Sequence, residues 1–185
     1  MERMSRSLKF LFILTFLGLS AFYLYVLYLA KHPNVSMAYR MYYLEQKTRI
    51  WNRNQSLAYI PGTLMDLTTY RQRCPYLSRE GWDIPKEDNT GTVFSGSGGL
   101  YFTLHAIPNQ LVFEGELQSL KDNTTLSFSA GNWQQTVHFE KAGKQSFKVE
   151  IPEGIFISDP ESPNYISFKS NNNLFFQTMK ISHAG

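Results

Sequence analysis

The longest apolar run in the chain lies near its N-terminal end. Residues 8–30 carry one charge, Lys9, which is followed by twenty-one uncharged residues. A helix of that length crosses a hydrocarbon core of about 30 Å. The run includes three tyrosines and lacks the small-residue cleavage site of a signal peptide, which is the competing interpretation. The pattern therefore predicts a retained transmembrane helix over 8–30, behind a tail of residues 1–7.

Basic residues flank both sides of this run, so counting charges alone does not settle its orientation. Three of them, Arg3, Arg6 and Lys9, are dense and lie on a very short tail, which normally stays in the cytoplasm. We therefore expect a single-pass protein of the inner (plasma) membrane. Its N-terminus would be cytoplasmic, and its C-terminal domain would be periplasmic or extracellular.

A second, shorter pattern follows the apolar run. Pro33 interrupts the run, because proline disfavours the α conformation at the residue before it. Apolar residues then recur at near-helical spacing, with charged residues between them: Met37, Met41, Leu44 and Trp51. This predicts an amphipathic helix over 36–52, within a membrane-proximal segment of residues 31–60. Its apolar stripe is the candidate surface for the lipid bilayer or for a membrane-protein partner.

From residue 61 onward, the pattern changes to short alternating segments separated by Gly, Pro, Asn and Asp. Their spacing of roughly 8–12 residues is typical of sandwiches and barrels. Residues 146–151 and 165–170 alternate strictly, so each should have one buried and one exposed face. The predicted fold is mainly β. It is an antiparallel jelly-roll-like β-sandwich over 61–185, preceded by one transmembrane helix and a short amphipathic helix.

Composition and charge further narrow the fold class and the kinds of partner that the chain can have. The 14 Phe and 11 Tyr suit a sheet. The net charge of +3 is too small for a typical nucleic-acid surface. Residues 31–79 hold eight basic and two acidic side chains, whereas residues 80–185 hold seven basic and twelve acidic ones. The basic segment suits anionic lipid head groups or an acidic partner. No nucleic-acid partner is expected.

The chain has one cysteine, Cys74, so an intrachain disulfide is impossible and no cysteine metal cluster exists. We expect Cys74 to be buried as a small apolar side chain, and pairing with a second chain is the alternative. The domain must therefore be held together by packing alone.

The sequence offers little catalytic chemistry. The four histidines lack metal-binding spacing. Glu114 and Glu116 alternate along one predicted strand and fit its solvent face better than a catalytic pair. The glycine-rich stretch 95–99 leads into a strand and lacks the lysine of a phosphate loop. We expect no enzyme activity, no cofactor and no metal site.

Three neighbouring segments, residues 81–87, 91–96 and 99–104, carry the most specific signal. They resemble the periplasmic jelly-roll domains attached to bacterial membrane phosphoglycerol transferases and surface-polysaccharide glycosyltransferases. Phe94 stands where that pattern often has Trp. The resemblance continues more loosely to cover about residues 62–182. Such domains are similar in architecture to carbohydrate-binding modules.

The resemblance implies that exposed rings stack on sugars, with Trp82, Tyr101 and Trp133 as candidates and Glu87 as an acceptor for sugar hydroxyls. Core packing is the alternative for each ring. The leading hypothesis is a non-catalytic, membrane-anchored accessory subunit of a cell-envelope polysaccharide or glycolipid synthesis or export system. Its partner would be an integral-membrane glycosyltransferase or a polysaccharide exporter. The alternative is a protein-binding scaffold or assembly factor of a membrane complex, with no sugar binding.

Overall fold

The computed structural model describes residues 6–51, 56–69, 74–83, 91–106 and 110–184. The chain divides into two compact units, Met1–Val35 and Ser36–Gly185. The described part of the first unit contains one helix, α1 (Arg6–Lys31). By length and composition, this helix is suited to crossing a membrane, as the apolar run predicts.

The membrane-proximal segment begins the second unit, and its helix is shorter than predicted. A one-turn helix, α2 (Met37–Tyr39), runs into a π-helical turn, Arg40–Leu44. The helix ends there because backbone groups of the residues that follow form hydrogen bonds with another part of the chain. The Arg49 amide donates to the Leu77 carbonyl over 3.0 Å, and the Arg79 amide donates to the Lys47 carbonyl over 2.8 Å. The expected helix over 36–52 was therefore too long.

The described part of residues 61–185 contains ten strands. They are β1 (Leu64–Asp66), β2 (Trp82–Asp83), β3 (Thr92–Phe94), β4 (Ser97–Phe102), β5 (Leu111–Ser119), β6 (Thr124–Ala130), β7 (Trp133–Phe139), β8 (Gly143–Ile151), β9 (Asn164–Ser170) and β10 (Leu174–His183). These strands pair antiparallel throughout. The prediction of a mainly β, antiparallel domain is confirmed.

The ten strands form two sheets. Six strands make the first, in the order β2-β3-β10-β5-β8, with β1 also pairing with β10. Four make the second, in the order β4-β9-β6-β7. From β3 to β10, the chain changes sheet at every connection except the β6–β7 hairpin. This crossing pattern is that of the predicted jelly-roll-like sandwich.

Aromatic rings from both sheets interdigitate in the core. Phe113 of β5 lies 5.4 Å from Phe128 of β6 and 5.6 Å from Phe168 of β9, measured between ring centroids. Phe147 of β8 contacts Phe128 over 5.0 Å. Such ring pairs contribute about 0.5–1.5 kcal/mol beyond their buried area. The two sheets are therefore joined by rings that reach across the space between them.

Cys74 lies in this core with 6% of its surface exposed, as expected for an unpaired cysteine. Burial raises the pKa of its thiol to about 12. Burial also raises the pKa of the Tyr76 phenol to about 12, and that of Tyr59 in the same direction. These three groups stay protonated in the folded chain at pH values where they ionise in the unfolded one.

The free energy of unfolding is predicted to fall in alkali. The contribution of Cys74 is fully present below about pH 9, where both states hold the proton. It is lost as the pH rises toward about 12, because only the unfolded state ionises in that interval. The measurement is guanidinium denaturation of the full-length protein in detergent at several pH values, for wild type and Cys74→Ala.

Cys74→Ala should flatten this alkaline loss, whereas Met65→Ala should lower stability equally at every pH. The control is matched because Met65 is also buried, at 5% exposed, and does not titrate. The account is contradicted if both variants keep the wild-type slope, or if the native thiol reacts rapidly with an alkylating reagent.

Candidate functional site

The outer face of the four-stranded sheet is chemically uniform. On each strand, alternate residues such as Phe128 and Phe168 point into the core, and the residues between them point outward. The outward residues are chiefly hydroxyl and amide side chains, with no carboxylate among them. We name this surface the hydroxyl face: Ser97, Gly99, Tyr101, Thr125, Ser127, Ser129, Gln134, Thr136, His138, Tyr165, Ser167 and Lys169.

Strand register arranges these groups in rows across the sheet. Ser129 pairs with Ser167 on β9 and with Gln134 on β7. In the adjacent row, the hydroxyls of Ser127 and Thr136 lie 2.8 Å apart in a hydrogen bond. Directly paired side chains in an antiparallel sheet have Cβ atoms about 4.5–5.5 Å apart. The face therefore presents closely spaced hydrogen-bonding groups at fixed positions.

A pair of tyrosines stands at one end of the hydroxyl face. Tyr101 and Tyr165 are opposite each other on β4 and β9, and their rings stack with centroids 4.3 Å apart at an angle of 24°. The Tyr165 hydroxyl donates to the Gly98 carbonyl over 3.1 Å. A Cβ atom at Gly99 would overlap the Tyr165 ring and the Ile166 carbonyl, so glycine leaves room for the ring there. Both rings are half-buried and held in place.

A depression of about 320 Å³ surrounds the tyrosine pair, and Lys47, Arg79 and Glu80 also line it. A second depression of about 430 Å³ covers the middle of the face, over Lys169. Both depressions are lined by Ser167, which makes them neighbours. We name these two neighbouring depressions, which extend across β4, β9 and β6, the groove.

Electrostatics at this end keep the two phenols protonated. Burial raises the pKa of Tyr101, and the negative charges of Glu45 and Glu80 add to the shift. Burial likewise raises the pKa of Tyr165, with further contributions from Tyr101 and Glu80. Both hydroxyls therefore keep their protons well above neutral pH.

A third depression, of about 510 Å³, lies on the outer face of the six-stranded sheet. It differs chemically from the groove on the hydroxyl face, because its acidic and basic side chains neutralise one another. The Lys180 ammonium lies 2.6 Å from a Glu114 carboxylate oxygen. Lys148 pairs with Glu114 across the neighbouring strand. We place the candidate site on the hydroxyl face, where Lys169 makes no ion pair with any described residue.

The structure separates the four residues expected to bind a glycan. Tyr101 lies at the tyrosine pair. Trp82 is in the core, 2% exposed, and its indole N–H donates to the Gly99 carbonyl over 3.0 Å, so its ring has no free face. Trp133 is half-buried and packs against the core from the inner side of β7. Glu87 lies outside the described residues.

The sequence analysis missed Tyr165. The strict alternation of residues 165–170 predicted one exposed face for that strand, and Tyr165 belongs to it. Its pairing with Tyr101 depends on the register between β4 and β9, which are more than sixty residues apart along the chain. Local pattern carries no signal for that pairing.

The membrane-proximal candidates do not form one exposed stripe. Met41 is fully buried in a small cluster with Ala38 and Leu57, and Met37 and Trp51 pack against that cluster, half-buried. Leu44 is exposed. The expectation of a shared lipid- or partner-binding stripe needs correction, because Met41 faces its own domain.

The described residues include no group of three or more His, Cys, Asp or Glu side chains arranged to hold a metal ion. Glu114 and Glu116 both lie on the outer side of β5, and Glu114 is paired with Lys180. The hydroxyl face itself offers hydrogen bonds, two ring edges and a positive charge. These groups are suited to binding.

No protein-family model matches this sequence, and no curated protein matches it. Solved structures of similar fold include a ruminal GH26 endo-β-1,4-mannanase, with 13% identity and a TM-score of 0.40 over 71% of this chain and 27% of that one. A family 6 carbohydrate-binding module aligns with 9% identity and a TM-score of 0.38, over 66% and 94% of the two chains. The module CBM6cm-2 from Cellvibrio mixtus lichenase 5A, solved with cellotriose, aligns with 10% identity and a TM-score of 0.36, over 68% and 100%. This chain spans about a quarter of the length of the mannanase.

Proposed function

We propose that this chain is a membrane-anchored accessory protein whose β-sandwich binds a glycan on the hydroxyl face. One observation carries the proposal: a fixed tyrosine pair, Tyr101 and Tyr165, lies at one end of a groove lined by hydroxyl, amide and charged side chains. Sugars present both apolar C–H faces and many hydroxyls. The groove offers tyrosine rings for the C–H faces and hydrogen-bonding side chains for the hydroxyls.

The lining suits a ligand that both donates and accepts hydrogen bonds. Serine and threonine hydroxyls do both, and a glutamine amide such as that of Gln134 supplies two donors and an acceptor. Tyrosine adds an apolar ring with a polar tip, which is useful where a ligand is partly wet. Lys169 adds a positive charge, so neutral and anionic glycans are both compatible with the groove.

The helix α1 and the resemblance to transferase-attached jelly-roll domains support the wider role. In this proposal, α1 spans the plasma membrane with its N-terminus in the cytoplasm, and the sandwich lies in the periplasm or outside the cell. The chain would serve a polysaccharide or glycolipid synthesis or export system without catalysing a step itself. Its partner would be an integral-membrane glycosyltransferase or a polysaccharide exporter.

Tyr101→Ala and Tyr165→Ala are each predicted to weaken glycan binding about two- to ten-fold, because a ring contact is worth roughly 0.5–1.5 kcal/mol. The measurement applies full-length protein in nanodiscs to an array of bacterial surface polysaccharides. The dissociation constant for each bound glycan is then determined for wild type and variants.

Lys148→Ala is the matched control, because Lys148 is exposed on the outer face of the other sheet. It should leave the dissociation constant unchanged. If binding survives both tyrosine changes and falls with Lys148→Ala, the site lies on the six-stranded sheet and the proposal is contradicted. A protein that binds no glycan on the array, and yet retains its membrane partner, would be the scaffold of the alternative hypothesis.

A membrane partner is predicted to copurify with the full-length protein. Mild-detergent affinity purification from native membranes, followed by mass spectrometry, should recover a glycosyltransferase or a polysaccharide exporter in stoichiometric amount. Recovery of the tagged protein alone would contradict the accessory role and leave glycan binding as an independent activity.

A further inference from the structure

Three exposed side chains and one half-buried indole form an apolar surface on the membrane-proximal segment. Tyr39 and Tyr43 are one helical turn apart and contact each other at a tilt of 36°, with ring centroids 4.6 Å apart, and the Trp51 ring lies 5.2 Å from that of Tyr43. Exposed fractions are 36% for Tyr39, 47% for Tyr43 and 53% for Leu44. We name Tyr39, Tyr43, Leu44 and Trp51 the aromatic patch.

The patch is the outer side of a turn whose inner side is already occupied. Ala38 and Met41 are buried against Leu57, so they hold the turn onto the sandwich. The π-helical turn is closed by the Glu45 amide, which donates to the Arg40 carbonyl over 2.9 Å. The rings of Tyr39 and Tyr43 are exposed because the domain fills the other side of the turn, whereas Trp51 packs partly against the buried cluster.

Positive charge surrounds the patch. Arg40, Lys47 and Arg49 lie in the same segment. Glu45 bridges the first two at 2.8 and 2.7 Å, and the Arg49 guanidinium lies 3.6 Å from a carboxylate oxygen of Asp83. The side chains of Arg40 and Lys47 remain about half exposed, at 52% and 49%. The segment therefore keeps a net positive charge next to exposed rings, which complements an anionic surface.

Chain length limits how far this segment can lie from the membrane. Five residues, 32–36, connect the last residue of α1 with the first residue of α2. At about 3.3–3.6 Å per residue, the six steps from Lys31 to Met37 span at most about 20 Å. The head-group layer beyond the hydrocarbon core is itself roughly 5–8 Å thick.

We propose that the aromatic patch rests in the head-group layer of the bilayer, with the surrounding basic side chains on anionic phospholipid; this inference rests on the proposed function, in which α1 spans that bilayer. Tyrosine and tryptophan favour this interface because their rings are apolar and their tips are polar. Basic residues near the surface are attracted to anionic lipid head groups. Because Tyr101 packs against the cluster that contains Met41, lipid contact at the patch would also restrict how the glycan groove is oriented relative to the bilayer.

The test uses the full-length protein in liposomes of phosphatidylcholine and phosphatidylglycerol. Part of the phosphatidylcholine carries bromine in the upper acyl chain, which quenches tryptophan at the interface. Wild type should show a quenched component that Trp51→Phe loses and Trp133→Phe retains. Replacing phosphatidylglycerol by phosphatidylcholine should reduce this quenching.

A second pair of variants keeps Trp51 in place and therefore tests the proposal even if Trp51→Phe misfolds. Tyr43→Ser should weaken quenching of Trp51, whereas Leu120→Ser, which alters an equally exposed apolar residue of the sandwich, should not. Equal quenching in wild type and Trp51→Phe would overturn the proposal. So would quenching of Trp51 by aqueous iodide that is as strong in liposomes as in detergent, because the patch would then face water or a protein.

Discussion

Everything in the sandwich depends on aromatic rings that pack between its two sheets, since a chain with one cysteine has no disulfide to hold them. Phe113, Phe128 and Phe168 each lie fully buried and contact one another from three strands. Losing one such ring typically costs about 3–5 kcal/mol. A whole domain is commonly stable by only about 5–15 kcal/mol. Ring packing is therefore the constraint that the sequence must satisfy first, and alternation along each strand follows from it.

The candidate site consists of the outward-facing residues of the strands whose inward-facing residues form this core. Every strand that places a ring inward places its neighbours outward, so the core of the four-stranded sheet fixes the spacing of the hydroxyl face. Gly99 shows the same coupling, because the absence of a side chain there lets Tyr165 lie beside Tyr101. The buried Trp82 side chain links the core to the hydroxyl face, because its indole N–H donates to the Gly99 carbonyl. The candidate surface thus lies directly over the aromatic core of the domain.

Properties that follow from local pattern were predictable from the sequence. The apolar run gives the helix α1, strict alternation over 146–151 and 165–170 gives strands with one buried face, and a lone Cys74 gives a buried thiol. Properties set by distant pairing were not. The exposure of a single aromatic such as Trp82 depends on which strand covers it, and the helix over 36–52 ends early because residues 77–79 take its backbone hydrogen bonds. The tyrosine pair belongs to this second group.

Glycan contact at the tyrosine pair is the central claim, and hydroxyl-radical footprinting tests it on the unmodified side chains. Full-length protein in nanodiscs would be oxidised with and without the envelope polysaccharide that it binds, and the modified residues would be located by mass spectrometry. The account predicts that oxidation of Tyr101 and Tyr165 falls on binding, while that of Tyr43 is unchanged. Unchanged oxidation of both site tyrosines, with protection confined to the outer face of the six-stranded sheet, would contradict it.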